Sequence, residues 1–126
     1  MRHRPLILIV EDDRELRELY RVALMLSDYV VHSCEDGLDA LQYLEVERPD
    51  LIVLDLNLPR VPGRMLYDEL RASARMRSIP VVVVTGMEPA PHLPGTTVLI
   101  KPVPGDELVR VIQAQLGPWR GGPQVT

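Results

Sequence analysis

The chain contains five short runs rich in apolar and β-branched residues, each closed by polar or turn-forming residues. The runs are residues 6–10, 29–34, 51–55, 80–84 and 97–100. Most of them are apolar without alternation, which is typical of strands covered on both faces, as in a parallel sheet. The run at 29–34, YVVHSC, is less apolar and is expected nearer an edge. The pattern therefore predicts a buried sheet of five strands.

Helical periodicity lies between these runs. Residues 14–26 repeat apolar side chains at the spacing of an amphipathic helix, and Asp13 stands where an N-cap belongs. Further helices are predicted over 38–46, around Met65 and Leu66, and over 105–116. Because parallel strands are joined by crossover helices on both faces, the sequence predicts one α/β domain built as a three-layer sandwich.

Length and charge narrow the classes of protein. At 126 residues the chain is long enough for one domain with a single core. The formal net charge of −4 argues against a general nucleic-acid or anionic-membrane surface. The single cysteine, Cys34, excludes an internal disulfide. The sequence offers no membrane-spanning stretch and no signal sequence, so a cytoplasmic protein is expected.

Polar side chains with complementary chemistry stand at the ends of four predicted strands. Glu11 and Asp12 follow the first strand, Asp55 ends the third, Thr85 follows the fourth and Lys101 follows the fifth. The carboxyl ends of parallel strands meet at one edge of a sheet, where ligands bind. Clustered carboxylates favour a hard cation such as Mg²⁺. An aspartate beside such a metal can attack phosphorus, while a hydroxyl and an ammonium group donate to the phosphoryl oxygens.

At these positions the sequence resembles the receiver domain of two-component response regulators, over about residues 5–116. The matching motifs are ILIVEDD, DLIVLDLNLPRVPG, VVVVTG and LIKP. The resemblance implies the doubly wound flavodoxin-like fold with strand order 2-1-3-4-5. It divides the chain into a receiver domain at 1–116 and a flexible tail at 117–126, which is rich in glycine and proline.

The resemblance also implies a role for each polar residue at the strand ends. Asp55 would be the phosphorylated residue, Thr85 the switch hydroxyl and Lys101 a partner of the phosphoryl group. The implied Mg²⁺ ligands are Glu11, Asp12, Asp55 and the main-chain carbonyl of Asn57. The peptide bond between Lys101 and Pro102 is expected to be cis.

Two departures from the family pattern concern the readout of the signal. Val98 occupies the position, three before Lys101, where the family commonly places an aromatic switch residue. Only fifteen residues separate Thr85 from Lys101, and residues 87–95 contain three prolines. The helix between the fourth and fifth strands is therefore expected to be shortened or absent. Since that region usually contributes to the family's dimer face, any homodimer is expected to use a different face.

The leading hypothesis is a phosphoacceptor receiver of a two-component phosphorelay. It would take a phosphoryl group onto Asp55 from a sensor histidine kinase or a phosphotransfer protein, with Mg²⁺, and would switch contacts with a downstream output protein. It would be a signalling protein rather than an enzyme, limited to self-phosphorylation and autodephosphorylation, without direct nucleic-acid binding or membrane insertion.

Two alternatives belong to other classes of function. A receiver-like interaction module could act without phosphate, through its altered proline-rich face. A phosphatase with an aspartyl nucleophile, of the haloacid-dehalogenase kind, would carry a second acid two positions after Asp55 as general acid. Asn57 stands there instead and cannot donate a proton in that way, which disfavours the phosphatase.

Overall fold

The computed structural model describes residues 4–87 and 90–117 of the chain. The strands are β1 (Leu6–Val10), β2 (Val30–Cys34), β3 (Leu51–Leu54), β4 (Val81–Thr85) and β5 (Thr97–Ile100). The helices are α1 (Arg14–Leu26), α2 (Gly37–Val46), α3 (Gly63–Ala72) and α4 (Gly105–Leu116). Of the predicted tail, only Gly117 lies within the described residues. Among those residues, no helix combines the length and the apolar character needed to cross a membrane.

The five strands form one parallel sheet in the order β2-β1-β3-β4-β5, which confirms the predicted flavodoxin-like fold. The register aligns the carboxyl ends of the central strands, because Val10 lies opposite Leu54. Thr85 lies opposite Ile100 at the ends of β4 and β5. The residues that follow β1, β3 and β5 therefore emerge beside one another at a single edge.

Two apolar layers cover the sheet, one on each face. Leu8 and Val10 of β1 point into the layer formed with α2 and α3. Ile7 and Ile9 point into the opposite layer, formed with α1 and α4. Among the described residues, Tyr20 is the largest fully buried side chain. Its hydroxyl donates to the carbonyl of Val103 at 3.1 Å. The sheet thus divides the core into two layers.

The connection between β4 and β5 contains no helix in its described parts, residues 86–87 and 90–96. Instead, Leu93 inserts into the same core layer as α3 and is only 5% exposed. The hydroxyls of Tyr67 and Thr96 are hydrogen-bonded at 2.7 Å, and the Arg71 guanidinium lies over the Tyr67 ring. The connection is therefore packed against α3 by the Leu93 side chain and by hydrogen bonds of the Thr96 hydroxyl with Tyr67 and, at 3.4 Å, with Arg71. This outcome agrees with the expectation of a shortened or absent helix.

The buried position of Cys34, at the end of β2, leads to a prediction about its reactivity. The residue is 5% exposed, and burial raises the pKa of its thiol to about 11. At pH 8 such a pKa leaves roughly one thiol in a thousand as the reactive thiolate. We expect Ellman's reagent at pH 8 to modify the native protein at least about a hundredfold more slowly than the chain in guanidinium chloride. Comparable rates in the two states would contradict this placement.

Candidate functional site

Three charged side chains meet at the carboxyl edge of the sheet. The Lys101 ammonium lies 2.8 Å from Glu11 Oε1 and 3.1 Å from Asp55 Oδ2. The two carboxylates are almost fully buried, with side chains 3% and 4% exposed, whereas the Lys101 side chain is 25% exposed. The Lys101–Pro102 peptide bond is cis, as expected. The fifth strand thus delivers a cation between acids from the first and third strands.

Burial and charge pairing act against each other in this cluster. Burial is the largest influence on Glu11 and raises its pKa to about 7, even though the hydrogen bond from Lys101 acts in the opposite direction. Burial by itself lowers the pKa of Lys101, but its hydrogen bonds to Glu11 and Asp55 outweigh burial, so the pKa is raised overall. Lys101 therefore stays protonated at neutral pH and serves as the counter-ion of the two acids.

The acids at this edge also form a group with the geometry to hold a metal ion. Glu11, Asp12 and Asp55 each offer a carboxylate oxygen, and these oxygens all lie within 4.8 Å of one another. Asp12 is exposed, so the group is open to solvent on one side. An all-oxygen donor set with room for water suits Mg²⁺ or a similar hard cation. The backbone N–H of Asn57 donates to Asp55 Oδ1 at 3.0 Å, which places Asn57 beside this group.

The turn from β1 into α1 is held by contacts that fix Glu11 and Asp12. Asp13 Oδ1 accepts from the Leu16 N–H at 3.0 Å, which confirms Asp13 as the helix cap. The Arg17 guanidinium donates to the backbone carbonyl of Glu11 at 2.9 Å and to that of Asp12 at 3.3 Å. The acidic pair is thus held by its own helix, and Arg17 is a supporting residue that no motif in the sequence indicates.

Thr85 is brought to the same edge but makes a different contact. The residue is fully buried, and its hydroxyl accepts from the Met87 N–H at 3.2 Å. The backbone carbonyl of Thr85 accepts from the Lys101 N–H at 2.9 Å, which joins the end of β4 to the residue that follows β5. Val98 lies on β5 opposite Val83 and is partly buried against the core. The hydroxyl of Thr85 is therefore hydrogen-bonded to Met87, at the start of the β4–β5 connection.

The loop from Asp55 to Gly63 is packed tightly against its surroundings. A Cβ built on Gly63 would lie 2.1 Å from the Asp55 carbonyl oxygen and 2.5 Å from the Leu56 Cα. A Cβ on Gly37, at the start of α2, would lie 2.3 Å from the Val61 carbonyl oxygen. Both glycines are required by close backbone approach. They set the loop directly on the N-termini of α2 and α3.

The sequence matches a known protein family. A sequence model described as "Response regulator receiver domain" matches residues 7–113 of the chain. The chain belongs to the response regulator receiver family. This assignment confirms the resemblance drawn from the strand-end motifs and makes the protein a receiver domain of two-component signalling.

Individual relatives agree with this assignment. The receiver is 37% identical over 82 residues to the response regulator MprA of Mycobacterium ulcerans (strain Agy99). The aligned residues make up 65% of this chain and 34% of that protein. The chain thus spans about a third of the length of the curated relative.

Two solved receiver domains of histidine kinases resemble the structure closely. The domain of PA1611 from Pseudomonas aeruginosa PAO1, solved with a magnesium ion coordinated in its active-site cleft, gives a TM-score of 0.79 at 28% identity and covers 92% of this chain and 100% of that one. The domain from Syntrophus aciditrophicus gives 0.80 at 26% identity and covers 97% of both chains.

The close approach at Gly63 leads to a prediction about stability. Gly63→Ala would press a methyl group into the backbone of Asp55 and Leu56, which cannot move without displacing β3. We expect a loss of about 3 kcal/mol or more in the free energy of unfolding, measured by urea denaturation. Gly86→Ala is the matched control, because nothing lies within 4 Å of a Cβ at Gly86. Equal stability of the two variants would refute the close packing of Gly63 against the backbone of Asp55 and Leu56.

Proposed function

We propose that this receiver accepts a phosphoryl group on Asp55 from a phosphohistidine of a sensor histidine kinase or a phosphotransfer protein. The observation that carries the proposal is the position of Asp55. It is buried at the end of β3, it is 3.1 Å from the Lys101 ammonium, and it shares a potential cation site with two further acids. A carboxylate oxygen that lies beside an ammonium group and a cation site is placed to act as a nucleophile toward phosphorus.

The proposed metal is Mg²⁺, held by Glu11, Asp12, Asp55 and the main-chain carbonyl of Asn57. Oxygen donors within 4.8 Å of one another fit this cation, and the solvent-exposed side at Asp12 leaves room for the waters that Mg²⁺ usually keeps. When bound, Mg²⁺ would offset the negative charge of the carboxylates and of the incoming phosphoryl oxygens.

In the proposed transfer, a carboxylate oxygen of Asp55 forms a bond to phosphorus while the bond from phosphorus to the histidine nitrogen breaks. The electron pair of the broken bond returns to the imidazole. The Lys101 ammonium and the Thr85 hydroxyl donate to the phosphoryl oxygens and stabilise their charge. Attack of water on phosphorus later releases inorganic phosphate and restores the carboxylate. Acetyl phosphate would serve as a small-molecule donor in the same way.

The proposed switch acts through the contact that Thr85 now makes with the β4–β5 connection. If the Thr85 hydroxyl turns to a phosphoryl oxygen on Asp55, the Met87 N–H loses its acceptor, and the start of the connection is released. Val98 has no aromatic ring, so this receiver lacks the aromatic side chain that in the family commonly moves together with the switch hydroxyl. The surface read by an output protein would then be the connection with α3, to which it is tied at Thr96 and Tyr67. A homodimer, if formed, would use a face other than the family's common one.

A second candidate function is a receiver-like interaction module that acts without phosphorylation in the cytoplasm. Two observations favour it: the valine at position 98, and the absence of a helix in the described residues between β4 and β5. The charged cluster of Lys101 with Glu11 and Asp55 favours the phosphoacceptor instead, because an interaction module has no need of it.

Phosphorylation of Asp55 can be tested with a phosphate-affinity gel. Incubation with acetyl phosphate or a histidine kinase, in the presence of Mg²⁺, should give a retarded band that is lost in Asp55→Asn and when EDTA is added. Asp106→Asn, which neutralises an exposed acid on α4 that is 78% exposed, should keep the band.

Failure to obtain an Asp55-dependent band with any donor would refute the phosphoacceptor. In that case, an Asp55→Asn variant that still functions in cells would establish the interaction module.

A further inference from the structure

Arg60 makes an ion pair that the proposed chemistry does not use. Its guanidinium Nε donates to Asp36 Oδ2 at 2.7 Å, and Nη2 contacts the same oxygen and, at 3.2 Å, Asp39 Oδ1. The Asp36 side chain is only 5% exposed, and its other oxygen caps α2 by accepting from the Asp39 N–H at 2.9 Å. Burial raises the pKa of Asp36, but the hydrogen bonds from Asp39 and Arg60 outweigh burial and lower it overall. Arg60 therefore holds a buried, ionised carboxylate at the start of α2.

The backbone of Arg60 is strained, which shows that something fixes this loop. Its φ is +64°, in the left-handed region that residues with a Cβ rarely adopt. A strained residue persists only where its surroundings over-determine the conformation. The contacts to Asp36 and Asp39 come from a different element, 24 and 21 residues away in sequence, and provide such a constraint.

The loop that Arg60 anchors is the one that presents Asn57 to the acid group. Its first turn is closed by the Asn57 N–H on Asp55 Oδ1 at 3.0 Å, and its end by the Gly63 N–H on the Leu56 carbonyl at 3.1 Å. Between these two bonds, Val61 rests on Gly37 of α2. The Arg60 ion pair and the Val61 contact thus fasten the middle of the loop to the N-terminus of α2.

We infer that Arg60 is a positioning residue for the cation site: by pairing with Asp36 and Asp39, it holds the loop so that the Asn57 carbonyl can act as a metal ligand. This inference rests on the Mg²⁺ site of the proposed function. Groups that orient metal ligands from outside commonly contribute about ten- to a hundredfold to metal affinity.

The charge of Arg60 and its positioning of the loop should have opposite effects on Mg²⁺ affinity, so a variant can tell them apart. The positive charge of Arg60 repels Mg²⁺, so neutralising Arg60 should tighten Mg²⁺ binding if only its field matters. If Arg60 positions the Asn57 carbonyl, neutralising it should weaken Mg²⁺ binding. Arg64 is the matched control, because its guanidinium pairs only with Asp68, one turn along α3, among the contacts of the described residues.

The experiment is a Mg²⁺ titration of the full chain without a phosphoryl donor. Binding is monitored through the NMR signals of the backbone amides. We expect Arg60→Gln to raise the dissociation constant about tenfold, and Arg64→Gln to leave it unchanged or slightly lower. Asp36→Asn keeps an oxygen that can cap α2 but loses the ion pair, so it should weaken binding in the same direction. The double variant Arg60→Gln with Asp36→Asn should bind no more weakly than Arg60→Gln alone, because each change removes the same ion pair between these two residues.

Arg60→Gly separates backbone strain from the ion pair, because glycine adopts a positive φ without cost. It should stay folded and still bind Mg²⁺ more weakly than the wild type. If either Arg60→Gln or Arg60→Gly binds Mg²⁺ as tightly as the wild type, Arg60 has no positioning role. A wild-type chain that binds no Mg²⁺ would instead overturn the metal site of the proposed function, which distinguishes the two failures.

Discussion

The site depends on one electrostatic constraint: two buried carboxylates from different strands must share a compensating positive charge. Glu11 and Asp55 are each almost fully enclosed, and ionised acids in such a position repel one another and lose hydration. Lys101 resolves this by placing its ammonium within 3.1 Å of both. Because β5 is the edge strand beyond β4, the lysine can reach the acids only if the whole sheet keeps its register. The charge pairing therefore depends on the fold.

Polar groups at the edge are held by contacts with the helices and loops that follow the strands. Asp13 and Arg17 fix the β1–α1 turn, and Gly63 lets α3 start against the backbone of Asp55. Arg60 ties the loop after β3 to the start of α2. These contacts leave the Asp55 carboxylate beside the Lys101 ammonium and close to the exposed Asp12.

The sequence alone predicts the sheet and the strand-end chemistry because both depend on local patterns. Apolar runs define the strands, and β4 differs from its prediction only by starting at Val81 and including Thr85. The parallel arrangement then brings Glu11, Asp55 and Lys101 together without further information. Arg60 could not be found in this way, because its partner Asp36 is 24 residues away and the pairing depends on a left-handed backbone. The hydrogen bond from Met87 to Thr85 also escapes sequence patterns, since it depends on how the chain turns after β4.

We propose that Asp55 accepts a phosphoryl group beside a Mg²⁺ held by the neighbouring acids, and a crystal structure with Mg²⁺ and beryllofluoride would be the sharpest test. We expect beryllofluoride on a carboxylate oxygen of Asp55, with its fluorines within hydrogen-bond distance of Lys101 and the Thr85 hydroxyl. We also expect Mg²⁺ to be bound by Glu11, Asp12, Asp55 and the Asn57 carbonyl. A structure in which Asp55 stays unmodified at saturating beryllofluoride, with Lys101 still bridging Glu11 and Asp55, would contradict the proposal.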